Sequence, residues 1–365
     1  MFIEKLALNN FRNYDKEEIS FSKGINILYG DNAQGKTNVL EAIYMTATTK
    51  SHRGNRDKEI IQFGFDEAHI RADVKKHDIS HRIDMHLRKN KSKGVAIDMV
   101  SIKKSIQLFG LVNIVLFSPE DLSIIKESPA ERRRFMDMEL CQLNKLYYSD
   151  LSSYNKVLNQ RNNLLKQIAF HEKSKDMLEI WDEQLVKYGI KIISLRDNFI
   201  NMMNEIMCEI HNSITSGKET IKAIYEKNVE EEKFLEELQN KRFVDLKYQT
   251  TSVGPHRDDI KFIVNDIDVK KYGSQGQQRT AALSLKLAEI ELVKKIINDN
   301  PILLLDDVMS ELDSTRRDAL LSYISNIQTI ITCTGYDDFI KERLNIDRIY
   351  KVSQGKIREE IYEYE

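Results

Sequence analysis

The sequence predicts an α/β protein in which a sheet-based head is interrupted by an α-helical hairpin arm. Three observations predict it. Short apolar strands alternate with turns and one clear helix up to about Leu140. A stretch from Tyr147 to Ile214, without proline and with glycine only at Gly189, then carries helical apolar spacing. After Tyr248 the alternation of strand and helix patterns returns. The expected divisions are a first half of the head over 1–145, an arm over 146–247 and a second half of the head over 248–365.

In the first segment, "INILYG" (Ile25–Gly30) has the pattern of a buried strand, and "KTNVLEAIYMTA" reads as a helix directly after the loop that follows. "AHIRADVKK" and "HRIDMHLRKN" alternate as two strands, and "KNKSKG" before "VAIDMV" has the character of a hairpin turn. In the arm, Tyr147, Leu151, Tyr154 and Leu158 keep helical spacing, and Leu165 and Ile168 resume it after a break at Arg161. A second run, Leu178, Trp181, Leu185, Tyr188, Ile192, Leu195, Phe199, Met202 and Ile206, alternates by three and four, a seam of period 3.5. Polar "FHEKSKD" separates the two. A hairpin with packed seams and two ordinary core helices both satisfy this pattern. A charged helix, "VEEEKFLEELQNKRF", is expected next. Beyond it come alternating "DDIKFIVNDIDVKKY", a long apolar helix from about Gln277 to Ile297, the strand "PILLLDD", a helix near "STRRDALLSYIS" and a last strand, "TIITCT".

Composition bounds the function. The 365 residues are 41% apolar and 31% charged, as in a soluble globular protein. Cys141, Cys208 and Cys333 are widely spaced, which argues against a metal or disulfide framework and for reduced cytosolic thiols. "MFIEKLALNNFRNY" is too polar for a signal peptide, and the apolar run Leu108–Phe117 is too short to span a membrane. The expected location is therefore the cytoplasm, without membrane association. A formal charge of −2 exerts no global pull on nucleic acid, so DNA would have to meet local patches such as "SHRGNRDK" (Ser51–Lys58), "RKNKSK" (Arg88–Lys93) or "ERRRF" (Glu131–Phe135). Each can equally be a solvated face.

Three motifs carry chemistry. Gly30, Asp31, Asn32, Ala33, Gln34, Gly35, Lys36 and Thr37 spell G-x-x-x-x-G-K-T between a strand and a helix. Gly30 and Gly35 allow the tight turn that aims backbone N–H groups at phosphates, and the helix start adds its positive end. Lys36 is expected to reach the β- and γ-phosphates of ATP, and Thr37 to ligate Mg²⁺. "ILLLDDVMSELD" (Ile302–Asp313) delivers two carboxylates at the C-terminal end of a buried strand, where open α/β sheets place ligands. Asp306 is the candidate partner of Thr37 on Mg²⁺, and Asp307 the candidate to orient or deprotonate an attacking water. In "YGSQGQQR", Gly273, Ser274, Gln275, Gly276 and Gln277 open the long helix with small and polar residues suited to an anion. One γ-phosphate cannot easily sit at both helix starts within one subunit. Two subunits head to tail, each lending its Ser274 helix to the other's nucleotide, resolve this.

"GSQGQQR" is similar to the ABC-type signature, through Ser274, Gly276 and Gln277, and "SELD" (Ser310–Asp313) looks like the D-loop of the same ATPases. The order of loop, helical insert, signature and carboxylates resembles SMC-like, ABC-type ATPase heads. Within them the chain resembles the RecF family through "NNFRNY", "GDNAQGKTNVLEAI", "SHRGNRDKEII", "FSPEDL", "RRRFMD", "GPHRDD", "GSQGQQRT" and "LLLDDVMSELD", spread over nearly its whole length. The resemblance implies a cytoplasmic, nucleoid-associated protein of DNA repair, recombination, replication and the SOS response. Such a protein dimerises on ATP, engages DNA at single-strand gaps and junctions, and works with RecR and RecO to load RecA. It also implies slow, DNA-stimulated ATP hydrolysis. An arm helix of about 30 residues, about 45 Å long at 1.5 Å per residue, suits a compact clamp rather than a long tether.

The chain departs from the broader pattern at three places. Asp307 stands where most ABC ATPases carry glutamate. Thr332 and Thr334 occupy the region of the switch histidine, and neither can become a cation. "FSPEDL" with Ser118 stands where a Mg²⁺-sensing glutamine is expected. Arg12 could contact nucleotide or a neighbouring loop, and "GPHRDD" could be a metal cluster or, more simply, a structural loop. "RRRF" fits a lobe interface or a DNA contact. The alternative function is the ATPase subunit of a membrane transporter, for which a switch histidine is expected. A nuclease or helicase would need a second acidic cluster or further ordered motifs, which the sequence lacks.

Overall fold

The computed structural model describes residues 1–54, 56–168, 177–324, 326–335 and 345–360. Asn55 in the first basic patch and the polar break 170–176 lie outside the described residues. Contacts divide the chain into two units, Met1–Asp121 with Lys286–Glu365, and Leu122–Leu285. These limits differ from the expected 145/146 and 247/248 boundaries. The second unit also takes in the helix Pro129–Leu143, the strand Asp259–Val264 and the first residues of the helix Gln275–Ile297.

The first unit contains two six-stranded sheets. In the mixed one the order is Lys356–Glu360, Ile346–Ser353, Ile25–Tyr29, Thr329–Cys333, Ile302–Asp306 and Ile114–Phe117, all parallel except the first. Ile27, Leu28, Ile302 to Leu305, Ile330 and Ile331 are fully buried, which is why these strands read as continuous apolar runs. The second sheet is antiparallel, in the order Tyr14–Ser20, Phe2–Phe11, Glu67–Lys76, Ile79–Arg88, Gly94–Ile97 and Val100–Ser101. Its strands alternate buried and exposed residues. Ala68, Ile70 and Ala72 point inward, while Glu67, His69 and Arg71 point out. The helix Lys36–Thr48 touches strands of both sheets and is buried nearly all round, so its apolar residues show little helical one-sidedness.

In the second unit, the helices Lys145–Ile168 and Met177–Ile214 pack on one another. The latter has 38 residues, about 57 Å at 1.5 Å per residue and longer than expected. Its buried stripe keeps Leu178, Leu185, Ile192 and Phe199, but Asp182, Gly189, Arg196, Met203 and Met207 complete it in place of Trp181, Tyr188, Leu195 and Met202. That is the 3.6-residue stripe of core helices, not a strict coiled-coil seam. Nor is the first helix interrupted at Arg161. Its guanidinium is fully buried, donating from Nε to Asp182 Oδ1 at 2.7 Å and from Nη1 to Asp245 Oδ2 at 2.7 Å. The expected charged helix is in fact a 3₁₀ turn, Glu231–Lys233, followed by two short helices, Phe234–Asn240 and Arg242–Tyr248. A strand missed in the sequence, Ile221–Glu226, pairs with Asp259–Val264, which draws that segment into this unit rather than into the head.

"GPHRDD" is structural. His256 Nε2 donates to Thr251 O at 3.0 Å and its Nδ1 lies 2.7 Å from the Tyr154 hydroxyl, a pair of contacts that the neutral ring satisfies with Nδ1 as acceptor. Burial, helped by nearby arginines, pushes His256 down to about 4. The unfolded chain binds this proton near pH 6.5 and the folded chain only near pH 4, so the contribution is full above pH 6.5 and is lost as pH falls toward 4. Wild-type protein should lose about 2 kcal/mol between pH 7.5 and pH 5 that a His256→Gln variant does not. Urea unfolding at the two pH values tests this, and an unchanged gap between the proteins would refute it.

Candidate nucleotide site

The strand Ile25–Tyr29 ends at Gly30, and the loop runs to the helix at Lys36. Gly30 has φ +151° and Gly35 φ +118°. A Cβ on Gly30 would lie 2.2 Å from Val352 O, and one on Gly35 2.6 Å from Asn13 Nδ2, so both positions exclude a side chain. Asn13 Nδ2 donates to Gln34 O at 2.7 Å, the Tyr14 hydroxyl donates to Gly35 O at 2.9 Å, and Gln354 N donates to Gln34 Oε1 at 2.6 Å. Strands on either side thus hold the loop open from behind.

Lys36, 7% exposed, donates from Nζ to Gly30 O at 2.7 Å and Asp31 O at 2.8 Å. Thr37 Oγ1 donates to Asp306 Oδ1 at 2.8 Å. The carboxylate strand therefore ends where the loop helix begins, as the spacing of hydroxyl and carboxylate requires for a shared Mg²⁺. Two hard oxygen donors in contact fit that ion. Asp307 follows with φ +54° and its N–H on Thr332 Oγ1 at 3.0 Å. Burial raises its carboxyl above the ordinary carboxylate range, with Lys36 opposing and Asp306 adding to the shift. Ser310 Oγ donates to Asp307 O at 2.9 Å, and Asp313 Oδ1 caps the helix Ser314–Tyr323 by accepting from Arg316 N at 2.9 Å. Lys36, Thr37, Asp306 and Asp307 line a cavity of about 180 Å³ together with Asn32, Ala33 and Gly35.

Three cavity residues, Asn38, Arg53 and Thr332, were not assigned from sequence. Thr332 Oγ1 donates to Asp306 Oδ1 at 2.7 Å and accepts from Asp307 N at 3.0 Å, so this threonine, one of two in the region of the switch histidine, ties the Asp306 carboxylate to the Asp307 backbone. Its place at the end of a strand adjacent to Ile302–Asp306 was the available signal. Arg53, from "SHRGNRDK", lines the cavity and reaches Asn38 Oδ1 at 3.4 Å. Arg12 is not at the cavity. Its guanidinium makes a bidentate pair with Glu41, at 2.8 and 2.7 Å, and donates to Glu59 O at 3.0 Å.

Ser274, Gln275 and Gly276 are exposed at the start of their helix in the second unit. Gln277 N donates to Ser274 Oγ at 3.2 Å while Ser274 N donates to Gln277 Oε1 at 3.0 Å, a reciprocal capping box. As acceptor in that bond, the Ser274 hydroxyl keeps its own proton for a ligand. Gln277 Nε2 also donates to Glu219 Oε1 at 2.9 Å, fixing the side chain from the arm. In "ERRRF", Arg132 makes a bidentate pair with Asp259 at 2.6 and 3.0 Å, and Arg133 donates to Asp258 O at 2.7 Å. These two cations serve the second unit's interior rather than an exposed DNA surface. Among the described residues, no helix is long and apolar enough to cross a membrane.

The profile of the RecF/RecN/SMC N-terminal domain family matches residues 2–358. A protein of Lachnospira eligens called DNA replication and repair protein RecF is 58% identical over 359 residues, 98% of this chain and 99% of that one. A solved structure described as the recombination mediator protein RecF with ATP, in the RecFOR pathway, superposes with a TM-score of 0.93 at 36% identity, covering 99% of this chain and 98% of the other. An Smc head bound to the C-terminal winged-helix domain of ScpA gives a TM-score of 0.57 at 18% identity, covering 98% and 97%, a likeness of fold alone. These relatives favour DNA repair over the transporter alternative.

Proposed function

The chain belongs to the RecF family, and from that membership we propose that it is an ATP-controlled DNA-binding protein of replication and recombinational repair. The observation that carries the nucleotide part is the convergence of Lys36, Thr37, Asp306 and Asp307 on one cavity behind a glycine loop that no side chain could fill. Lys36 trades its two carbonyl partners for phosphate oxygens, and the loop N–H groups and the helix start complete the anion site. Thr37 and Asp306 would hold Mg²⁺, which would supply charge neutralisation at the phosphates. Asp307 orients water, and its side chain, one methylene shorter than glutamate, suits slow hydrolysis.

Ser274, with its free hydroxyl proton at an exposed helix start, supports a shared site in which a second subunit closes over the nucleotide. Closure makes a DNA-gripping surface and hydrolysis releases it, with DNA at gaps or junctions stimulating the ATPase. RecR and RecO are the partners and RecA loading is the outcome, in the cytoplasm at the nucleoid. Light scattering without nucleotide, with ADP, and with ATP and Mg²⁺ tests the shared site. A dimer is expected only with ATP, and Ser274→Arg should remain monomeric under all three conditions. A monomer throughout for the wild type removes the clamp.

A further inference from the structure

We propose that Glu67, His69 and His86 form a binding site for one borderline transition-metal dication, zinc above all, on the outer face of the antiparallel sheet. The strands Glu67–Lys76 and Ile79–Arg88 are paired with His69 directly opposite His86. Side chains on a strand alternate faces, so Glu67 and His69 stand together on the solvent side while Ala68 and Ile70 pack inward. Register thus brings three ligand-bearing side chains to one spot.

The two imidazoles stack with centroids 4.1 Å apart and planes 19° from parallel, and Glu67 Oε2 lies 2.8 Å from His86 Nε2. One ligand atom from each residue falls within 4.8 Å of the other two. Tetrahedral zinc with bonds of about 2.0–2.1 Å needs ligand atoms about 3.3–3.5 Å apart. The ligand atoms close by up to about 1.5 Å as the near-parallel rings tilt and turn until one nitrogen lone pair of each points at the ion, and the carboxylate, already within hydrogen-bond distance of one ring, exchanges a proton contact for a metal contact. All three side chains are accessible, which leaves the backbone ladder untouched by such a tilt. Two pairs further along the ladder, on the same face, Asp84 is held by Arg71 at 3.3 Å and Arg82 at 2.7 Å, a fixed outer charge next to the site.

The ligand set chooses the ion. Two imidazoles and one carboxylate suit zinc, nickel or copper, whereas magnesium prefers oxygen donors only. This separates the site from the Thr37–Asp306 oxygen pair. The groove over the sheet, about 1030 Å³ and bordered by Asn9, Lys16, Val95 and Ser101, leaves the fourth position open to water. Among the described residues this is the one group of three or more histidine, cysteine and acidic side chains with metal-ligand spacing.

The test is calorimetric titration of the untagged full-length chain with zinc chloride, with millimolar magnesium present. Cobalt absorption in the visible range serves as a second readout of four-coordinate geometry. One equivalent of zinc should bind, weakened at least about tenfold in both His69→Ala and His86→Ala and reduced in Glu67→Gln. His81→Ala removes an imidazole that pairs instead with Asp98 at 2.9 Å, and should leave the titration unchanged. Absence of binding at about 100 μM zinc, a concentration corresponding to about −5.5 kcal/mol, overturns the proposal. So does binding that survives both histidine substitutions.

Discussion

Lys36→Met should lower ATP affinity by about 10²- to 10³-fold and abolish measurable hydrolysis while leaving the chain folded. The Nζ sits 2.7 and 2.8 Å from two loop carbonyls and Lys36 is only 7% exposed, so the ammonium is already positioned and largely stripped of water. Charge-assisted hydrogen bonds are worth about 1.5–3 kcal/mol each, and two to phosphate oxygens account for a loss of that size. Methionine keeps the length and apolar stem of the side chain, so the variant isolates charge from packing. Fluorescent-nucleotide titration and circular dichroism together check it. Near-normal affinity in a well-folded variant would place the nucleotide elsewhere and would remove the proposed function with it.

Arg196→Met should destabilise the second unit by about 3–5 kcal/mol, because it strands the Asp258 carboxylate, which cannot reach water. Arg196 donates to the Tyr147 hydroxyl at 3.0 Å, Pro255 O at 2.7 Å, Asp258 Oδ2 at 3.1 Å and Asp137 Oδ1 at 2.8 Å. Asp258 is itself fully buried, and it accepts in addition from the Tyr225 hydroxyl and from Asn228 N at 2.9 Å. Loss of the cation leaves that carboxylate with neutral donors alone. Lys191→Met removes an exposed pair with Asp150 at 3.4 Å, which should cost no more than about 0.5 kcal/mol. Hydrogen exchange across Leu122–Leu285 distinguishes the two variants without assuming that the whole chain unfolds in one step. Equal protection in both would mean that the network is not what orders this unit.

Much of the candidate site was legible because its signals are local. A strand, a glycine turn and a helix start occupy Ile25 to Thr48, and four consecutive apolar residues before Asp306 specify a strand buried on both faces. Thr332 was visible as a residue but not as a member of the site. Its place depends on two neighbouring strands being parallel and in register, with Thr332 opposite Asp306.

The arm marks the boundary most clearly. Periodicity predicted two long helices, each with an apolar stripe that must be covered, and left open whether they cover each other. It misread Arg161 as a break, because burial of a guanidinium depends on carboxylates elsewhere in the chain. Asp182 lies on the second helix, and Asp245, the other partner, is 84 residues away. The same holds for Arg132 and Asp259, separated by 127 residues, a pair that places Arg132 inside the second unit. Local spacing therefore determined the helices, the buried strands and the phosphate loop, whose geometry is set by backbone conformation within a few residues. Only the tertiary structure decided which charges are buried, which histidines face each other and where the units divide. A charge can leave water only where a distant partner compensates it.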